Sequence, residues 1–276
     1  MRTVTLIGVD GTEHVLACPG GPYYLRPGSG LWGGVSHNLI SRQVAGLPGR
    51  RFEQAVTRTN LLTVPIAVEA STQNELDQRI AALASVLDPS GEVTIRYQRP
   101  DGGVREITAH LKGGFEAVTV TQEIDRVTEI PLVFEAFQPY WRSTSQNIVE
   151  ELGAWNNGFF SGSNPLTLVN GGDVNVWPEF TFTGEIENIE VINLSTGHLW
   201  RIKRIIQFGE TLRVVTEPEV RAVYINDQLD WSALDEISEF FPLRPRDNNV
   251  VLRAIGPNSA DIGAYAIRYR ELFQTC

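Results

Sequence analysis

Helical periodicity occurs in one long stretch of this sequence, which limits the chain to folds built mainly of strands. From Thr72 to Leu87 the apolar residues Leu76, Ile80, Leu83, Ala84 and Leu87 recur at helical spacing and form one stripe. Thr72 and Glu75 stand at capping-box spacing, which supplies partners to orphan amide donors of a first turn. Asp88-Pro89-Ser90-Gly91 then stops the helix. Elsewhere short alternating runs are punctuated by turn residues. Val4–Val9 and Glu13–Ala17 flank Asp10-Gly11-Thr12 as an opening hairpin. Asn60–Ala70 reads as a strand. Val93–Gln98 and Val104–Leu111 flank Arg99-Pro100-Asp101-Gly102-Gly103 as a second hairpin. Phe115–Gln122 and Arg126–Phe137 flank Glu123-Ile124-Asp125 as a third. Between them Pro19–Gly49 is rich in glycine and proline, lacks clear periodicity and carries Tyr23, Tyr24 and Trp32. So long an aperiodic stretch marks function or flexibility more often than a simple connection.

At 276 residues the chain is long enough for two domains. The two halves differ in composition. Eight of the 25 aromatic residues precede Tyr140, and 17 follow from there. Of the net charge of -10, only -2 lies before Gln146 and -8 after Ser145. Both shifts fall near Gln138–Ser145, so the expected domains are 1–141 and 142–276. The second half is nearly all short strands. Its turn signals recur roughly every 8–15 residues, as in a β-sandwich. Phe180 and Phe182 share one face of a strand. Tyr265, Ile267 and Tyr269 share another, opposite Ala264, Ala266 and Arg268. Trp200, Ile202 and Ile206 read as core. Ser232–Phe241, with Leu234, Ile237, Phe240 and Phe241, reads as a short helix.

The acidic balance and only two lysines, Lys112 and Lys203, exclude a simple basic nucleic-acid binder. Met1 leads into an alternating run without a signal-peptide core, and no apolar run reaches the ~18 residues of a membrane helix. A cytoplasmic product with no membrane segment is the expectation. Cys18 and Cys276 are too few for a disulfide framework; free thiols and a single bridge both remain open. No Walker loop, dinucleotide fingerprint or Cys-x-x-Cys pair occurs, so neither a cofactor nor enzymatic activity is expected. His14, His37, His110 and His198 are too scattered for a metal cluster. Pro27-Gly28-Ser29-Gly30 is not a nucleophile elbow. Asn170-Gly171-Gly172-Asp173-Val174-Asn175 lacks the loop spacing of a calcium site and reads as a turn. Asp227, Asp230, Asp235, Glu236 and Glu239 read as a solvated acidic face rather than a hydrolytic carboxylate pair. Among the tryptophans Trp155, set between Gly153-Ala154 and Asn156-Asn157-Gly158, is the one expected at the surface and the candidate glycan contact.

The order of motifs goes further. Arg58-Thr59-Asn60-Leu61-Leu62-Thr63-Val64-Pro65-Ile66-Ala67-Val68 enters the long helix. Leu87-Asp88-Pro89, Val93-Thr94-Ile95-Arg96-Tyr97 and Pro100-Asp101-Gly102-Gly103-Val104-Arg105 follow. Then come Ile130-Pro131-Leu132-Val133-Phe134-Glu135-Ala136-Phe137-Gln138-Pro139-Tyr140-Trp141, Asn170-Gly171-Gly172-Asp173, Trp177-Pro178-Glu179-Phe180-Thr181-Phe182-Thr183-Gly184, Asn193-Leu194-Ser195-Thr196-Gly197 and Phe241–Val250. In this the chain resembles the distal tail proteins of long-tailed, non-contractile bacteriophages, from about Arg50 to Tyr269. It departs at Gln138, where an Asp is common, and at Arg246-Asp247, where a Gly before the Asn is common.

The resemblance implies a mainly β, two-domain protein. The first domain, with a β-sandwich or split-barrel-like core, one helix (about 72–87) and hairpins, would build a hexameric ring. The second would be a projecting galectin-like β-sandwich. As a virion component of the tail tip, such a homo-hexamer joins the tail tube protein to tail-tip or baseplate hub proteins. DNA passes through its centre only as cargo. Tyr23, Tyr24 and Trp32 are then the candidate interface residues, since aromatics are enriched at the buried centres of interfaces. Receptor-binding proteins or a host glycan are further candidate partners. The alternative is a carbohydrate-binding adhesin acting through the second domain, with Trp155 as its glycan contact; a wall-degrading enzyme is a more remote reading.

Overall fold

The computed structural model describes residues 3–16, 21–27, 30–43, 48, 50–117, 127–156, 159–160, 165–255 and 262–276. The chain divides into two compact units, Met1–Thr144 with Phe273–Cys276, and Ser145–Leu272.

In the first unit the strands are β1 (Thr3–Ile7), β2 (Glu13–Leu16), β3 (Tyr23–Leu25), β4 (His37–Gln43), β5 (Arg50–Thr57) and β6 (Asn60–Glu69). After the helix α1 (Gln73–Val86) come β7 (Val93–Gln98), β8 (Val104–Gly113), β9 (Val127–Ala136) and β10 (Trp141–Ser143). The main sheet runs β2-β1-β7-β8-β9-β6-β3. Its pairings are antiparallel, and the expected hairpins form as β1–β2 and β7–β8. Gly11 and Gly102 turn them at φ of 80° and 88°, a region glycine enters without steric cost. The outermost strands β2 and β3 lie against each other, so the sheet comes close to closing as a barrel. Along the strands of this main sheet alternate residues point inward. Val4, Leu6, Leu62, Val64, Ile66, Ile95, Ile107, Ile130, Leu132 and Phe134 build one core.

Helix α1 starts as its sequence dictates. Thr72 Oγ1 accepts from Glu75 N at 3.2 Å, and Glu75 Oε2 accepts from Ser71 N at 2.8 Å. Leu76, Leu83 and Leu87 enter the core with Ile80 beside them. Val86 is also buried, whereas Ala84 faces solvent, so the buried stripe is rotated from the one read in the sequence. Trp141 is fully buried in this core, the structural role of the Gln138–Trp141 motif.

The third expected hairpin is corrected at its start: Phe115–Ala117 is a single 3-10 turn, and β9 pairs with β6 and β8. Residues 118–126 lie outside the described residues. The aperiodic reading of Pro19–Gly49 is also corrected, because the segment holds β3, a 3-10 turn at Gly30–Trp32 and β4.

In the second unit the strands are β11 (Asn147–Asn156), β12 (Phe159–Phe160), β13 (Leu166–Asn170), β14 (Glu179–Thr183), β15 (Glu187–Asn193) and β16 (Leu199–Ile202). They continue as β17 (Thr211–Val215), β18 (Ala222–Ile225), β19 (Gln228–Leu229), β20 (Arg246–Ile255) and β21 (Ile262–Tyr269), while β22 (Leu272–Phe273) pairs with β10 in the first unit's sheet. The path β16-β15-β20-β12-β11-β21-β14-β17-β18-β19, with β13 on β20, folds into two facing layers. Phe180 and Phe182 of one layer meet Trp200 of the other edge to face, with centroids 5.1 and 6.2 Å apart. Tyr265, Ile267, Tyr269, Ile202 and Ile206 join them in one core. This is a β-sandwich in which inward-facing residues of both layers interdigitate.

The expected helix over Ser232–Phe241 is corrected to a 3-10 turn at Trp231–Ala233. Its backbone donors find other partners: Asp235 N bonds to Arg201 O and Glu239 N to Leu199 O, both on β16. Every buried amide must be satisfied, and here an adjacent strand satisfies them without an i−4 ladder.

Candidate assembly surfaces

Among the described residues, strands β4 and β5 pair only with each other. The register runs from His37↔Thr57 to Gln43↔Arg50, with a bulge between Ile40 and Ser41. Apart from half-buried Ser41 and Thr57, every residue of both strands is exposed. Leu39 and Phe52 are 67% and 60% exposed, and Ile40 and Val56 are exposed as well. At the far end Arg42 stands directly opposite Arg51, with Arg50 adjacent; Arg42 reaches Glu53 at 3.3 Å. At the near end Thr57 Oγ1 lies 3.1 Å from Tyr140 OH, and Arg58 N donates to Ser36 O. The ribbon is thus anchored at its base. Sequence reasoning missed it, although Leu47-Pro48-Gly49 is a turn signal between runs of seven and eight residues.

Tyr23, expected at an interface, is only 7% exposed and belongs to its own unit's core. Its hydroxyl donates to Arg79 O at 3.0 Å. That placement corrects its candidacy: the ring is used up inside. Tyr24, the next residue on β3, points the other way and is half-buried. The Trp32 side chain, the Trp155 side chain and Cys18 lie outside the described residues, and so do Gly28 and Ser29. Trp155 is aligned by its backbone with Phe160. Cys276 packs partly buried against the first unit's core.

The second unit has a shallow groove of about 350 Å³ on the outer face of β11, β21 and β14. Ala264 and Ala266 floor it, and Glu150, Thr181, Thr183 and Arg268 line it. Arg268 donates to Glu150 Oε1 at 3.0 Å and to Thr181 Oγ1 at 3.3 Å. The polar groups of the groove therefore satisfy one another. Trp200 is fully buried, while its neighbour Arg201 bonds to Glu190 at 2.5 Å and His198 meets Glu239 at 3.0 Å. Trp200 points into the core and the next residue, Arg201, to the other face, so the two do not converge on one surface.

The acidic residues near 230 have separate structural tasks. Asp230 accepts from the Ser232 hydroxyl at 2.6 Å and bonds to Arg204, which together hold its carboxyl below the usual carboxylate range; it also caps Ser232 N. Asp235 accepts from Ile237 N. Asn170 is buried and donates to Val174 O and Leu243 O, which fixes the turn before Gly171-Gly172. Among the described residues no group of three or more His, Cys, Asp or Glu side chains is placed to hold a metal ion. Nor is any described helix long and apolar enough to cross a membrane.

The second unit, Ser145–Leu272, is a β-sandwich beside a first unit built on a nearly closed antiparallel sheet. Residues 171–273 match the family described as siphovirus-type tail component, C-terminal domain. The matched residues cover most of the second unit, and the resemblance to distal tail proteins read in the sequence is shown there. The chain shares the fold of the SPP1 Dit protein, solved as a hub of the adsorption apparatus in phages infecting Gram-positive hosts. The TM-score is 0.69 at 18% identity, over 98% of this chain and 99% of that one. The phage P2 baseplate in its activated conformation with Ca is also similar, at a TM-score of 0.48 and 10% identity over 97% and 98% of the two chains. No curated protein matches the chain in sequence.

Proposed function

We propose that this chain is the distal tail hub of a long-tailed phage and has a structural, non-enzymatic role. Residues 1–141 form a six-membered ring, and residues 142–276 project from it as a galectin-like sandwich. The ring joins the end of the tail tube to the tail-tip or baseplate proteins, and DNA crosses its centre. The observation that carries this reading is the likeness to the SPP1 hub protein over essentially both whole chains, together with the tail-component match across the second unit. The charge fits a conduit that does not grip DNA: the ring-forming part is near neutral, -2 through Ser145 or -12 over six copies, and carboxylates repel phosphate. The lumen is accordingly neutral or negative. Tyr24 and Trp32 remain candidates for contacts with neighbouring subunits or adjoining tail proteins.

Electron microscopy of the purified chain tests the reading. Rings of six with a central hole are the expected particles. Compact single copies at every concentration would refute it.

A further inference from the structure

The outer face of one layer of the second unit is polar because its inner face is not. Along β21 Tyr265, Ile267 and Tyr269 enter the core, so Ala264, Ala266 and Arg268 face outward. Glu150, Ala266, Thr181, Arg213 and Tyr224 stand opposite one another in turn across β11, β21, β14, β17 and β18, one row crossing five strands. The alanines leave a depression between taller neighbours. The groove of about 350 Å³ above them meets, at Thr183 and Ala264, a second of about 320 Å³. Each has the volume of a small-molecule site.

Phe208 lines the second groove and is 86% exposed. Its turn is built to hold it there. Gly209 takes φ of 85°, Glu210 N donates to Gln207 O, and the Glu210 carboxylate accepts from Gln207 N and from Arg204. The ring is thus an aromatic face presented to water at one end of a polar trough.

Chemistry selects the occupant. The flooring strands β21 and β14 are paired on both sides, so a peptide lying in the groove finds no backbone edge to join. A floor of Ala264, Ala266 and Gly263 offers no deep pocket to an anchoring side chain. Glu150, Glu151 and Glu210 outnumber Arg268 by two charges, which disfavours polymers that carry phosphate or carboxylate. A neutral sugar chain meets all of these conditions. Each hydroxyl both donates and accepts, so it can pair with a carboxylate, a guanidinium or a threonine. The C–H face of a sugar ring packs on an aromatic face. Arg268 gives one N–H to Glu150 and one to Thr181, of the five that a guanidinium carries, and Glu150 is 57% exposed. Both therefore keep capacity for a ligand.

We infer that this groove binds a neutral oligosaccharide, with one sugar ring stacked on Phe208 and the sugars beyond it hydrogen-bonded by Thr183, Thr181, Arg268 and Glu150. The site is complete within one copy and does not depend on the ring reading.

The test places the full chain on an array of neutral oligosaccharides of glucose, galactose, rhamnose and N-acetylglucosamine, with phosphate-bearing teichoic acids beside them. Calorimetric titration of the best-retained glycan follows. The parent is expected to retain neutral glycans and not the teichoic acids. Phe208→Ala and Arg268→Gln are each expected to weaken binding by about tenfold or more, through loss of the stacking face and of charge-assisted hydrogen bonds. Phe208 is exposed, so its variant is expected to keep the parent's melting midpoint, which separates lost binding from lost folding. An array that retains no neutral glycan, a preference for the teichoic acids, or variants that bind like the parent would overturn the inference. Native mass measured on the same samples reads the ring separately, so each reading fails on its own measurement.

Discussion

His14 on β2 meets Tyr23 on β3 edge to face, with ring centroids 5.0 Å apart at 79°. These residues sit on the two outermost strands of the first unit's sheet, so their contact is the seam where that sheet comes round on itself. The seam is sensitive to acid. Burial pushes the His14 imidazole below its ordinary 6.5, and Asp10 only partly opposes this. Its Nε2 is buried without a hydrogen-bond partner among the described residues.

A folded state that keeps this ring neutral binds fewer protons than the unfolded chain. Stability is then complete above about pH 6.5 and falls as the pH drops from there through the lower folded-state value. Thermal midpoints at pH 7.5 and 5.5 check this. The parent chain is expected to lose more than His14→Gln over that interval; equal losses contradict it.

Leu83 is fully buried on α1, at the centre of the first unit's core. Leu83→Ala should cost about 2–5 kcal/mol by leaving a cavity. Leu83→Asp should keep the first unit from folding, because it buries a charge without a partner. Denaturant unfolding of the alanine variant and the solubility of the aspartate variant read these out. A Leu83→Asp protein of normal stability contradicts the placement of the helix.

Arg246 adopts φ of 78°, a left-handed conformation that costs a side-chain-bearing residue roughly 1 kcal/mol. It is exposed, and its carbonyl accepts from the buried Asn248 amide at 3.0 Å, so the turn is held by backbone and Asn248 rather than by the arginine side chain. Arg246→Gly should raise stability by up to about 1 kcal/mol, a thermal shift of a few degrees. A lower melting midpoint contradicts the strain.

What could be read in the sequence was what had one buried face. Phe180 and Phe182, or Tyr265, Ile267 and Tyr269, alternate because every second residue enters a core. The β4–β5 ribbon has no buried face, so nothing imposes alternation on it, and its residues read as loop. Leu234, Ile237, Phe240 and Phe241 sit at helical spacing, yet Ile237 is exposed and the others pack in extended chain, because β16 offers carbonyls to the backbone. Tyr23 was legible as an aromatic in a Gly- and Pro-rich segment. Its burial depends on β3 completing a sheet whose other end lies near the start of the chain, a relation between distant residues that no local pattern carries.

The central claim is that this chain closes into a ring of six. Native mass spectrometry of the purified full chain tests it most directly. The account predicts a dominant species of about 184 kDa, six times the 30.7 kDa chain. A spectrum that holds only the single chain at every concentration, or a series of open assemblies without a preferred mass, would contradict it.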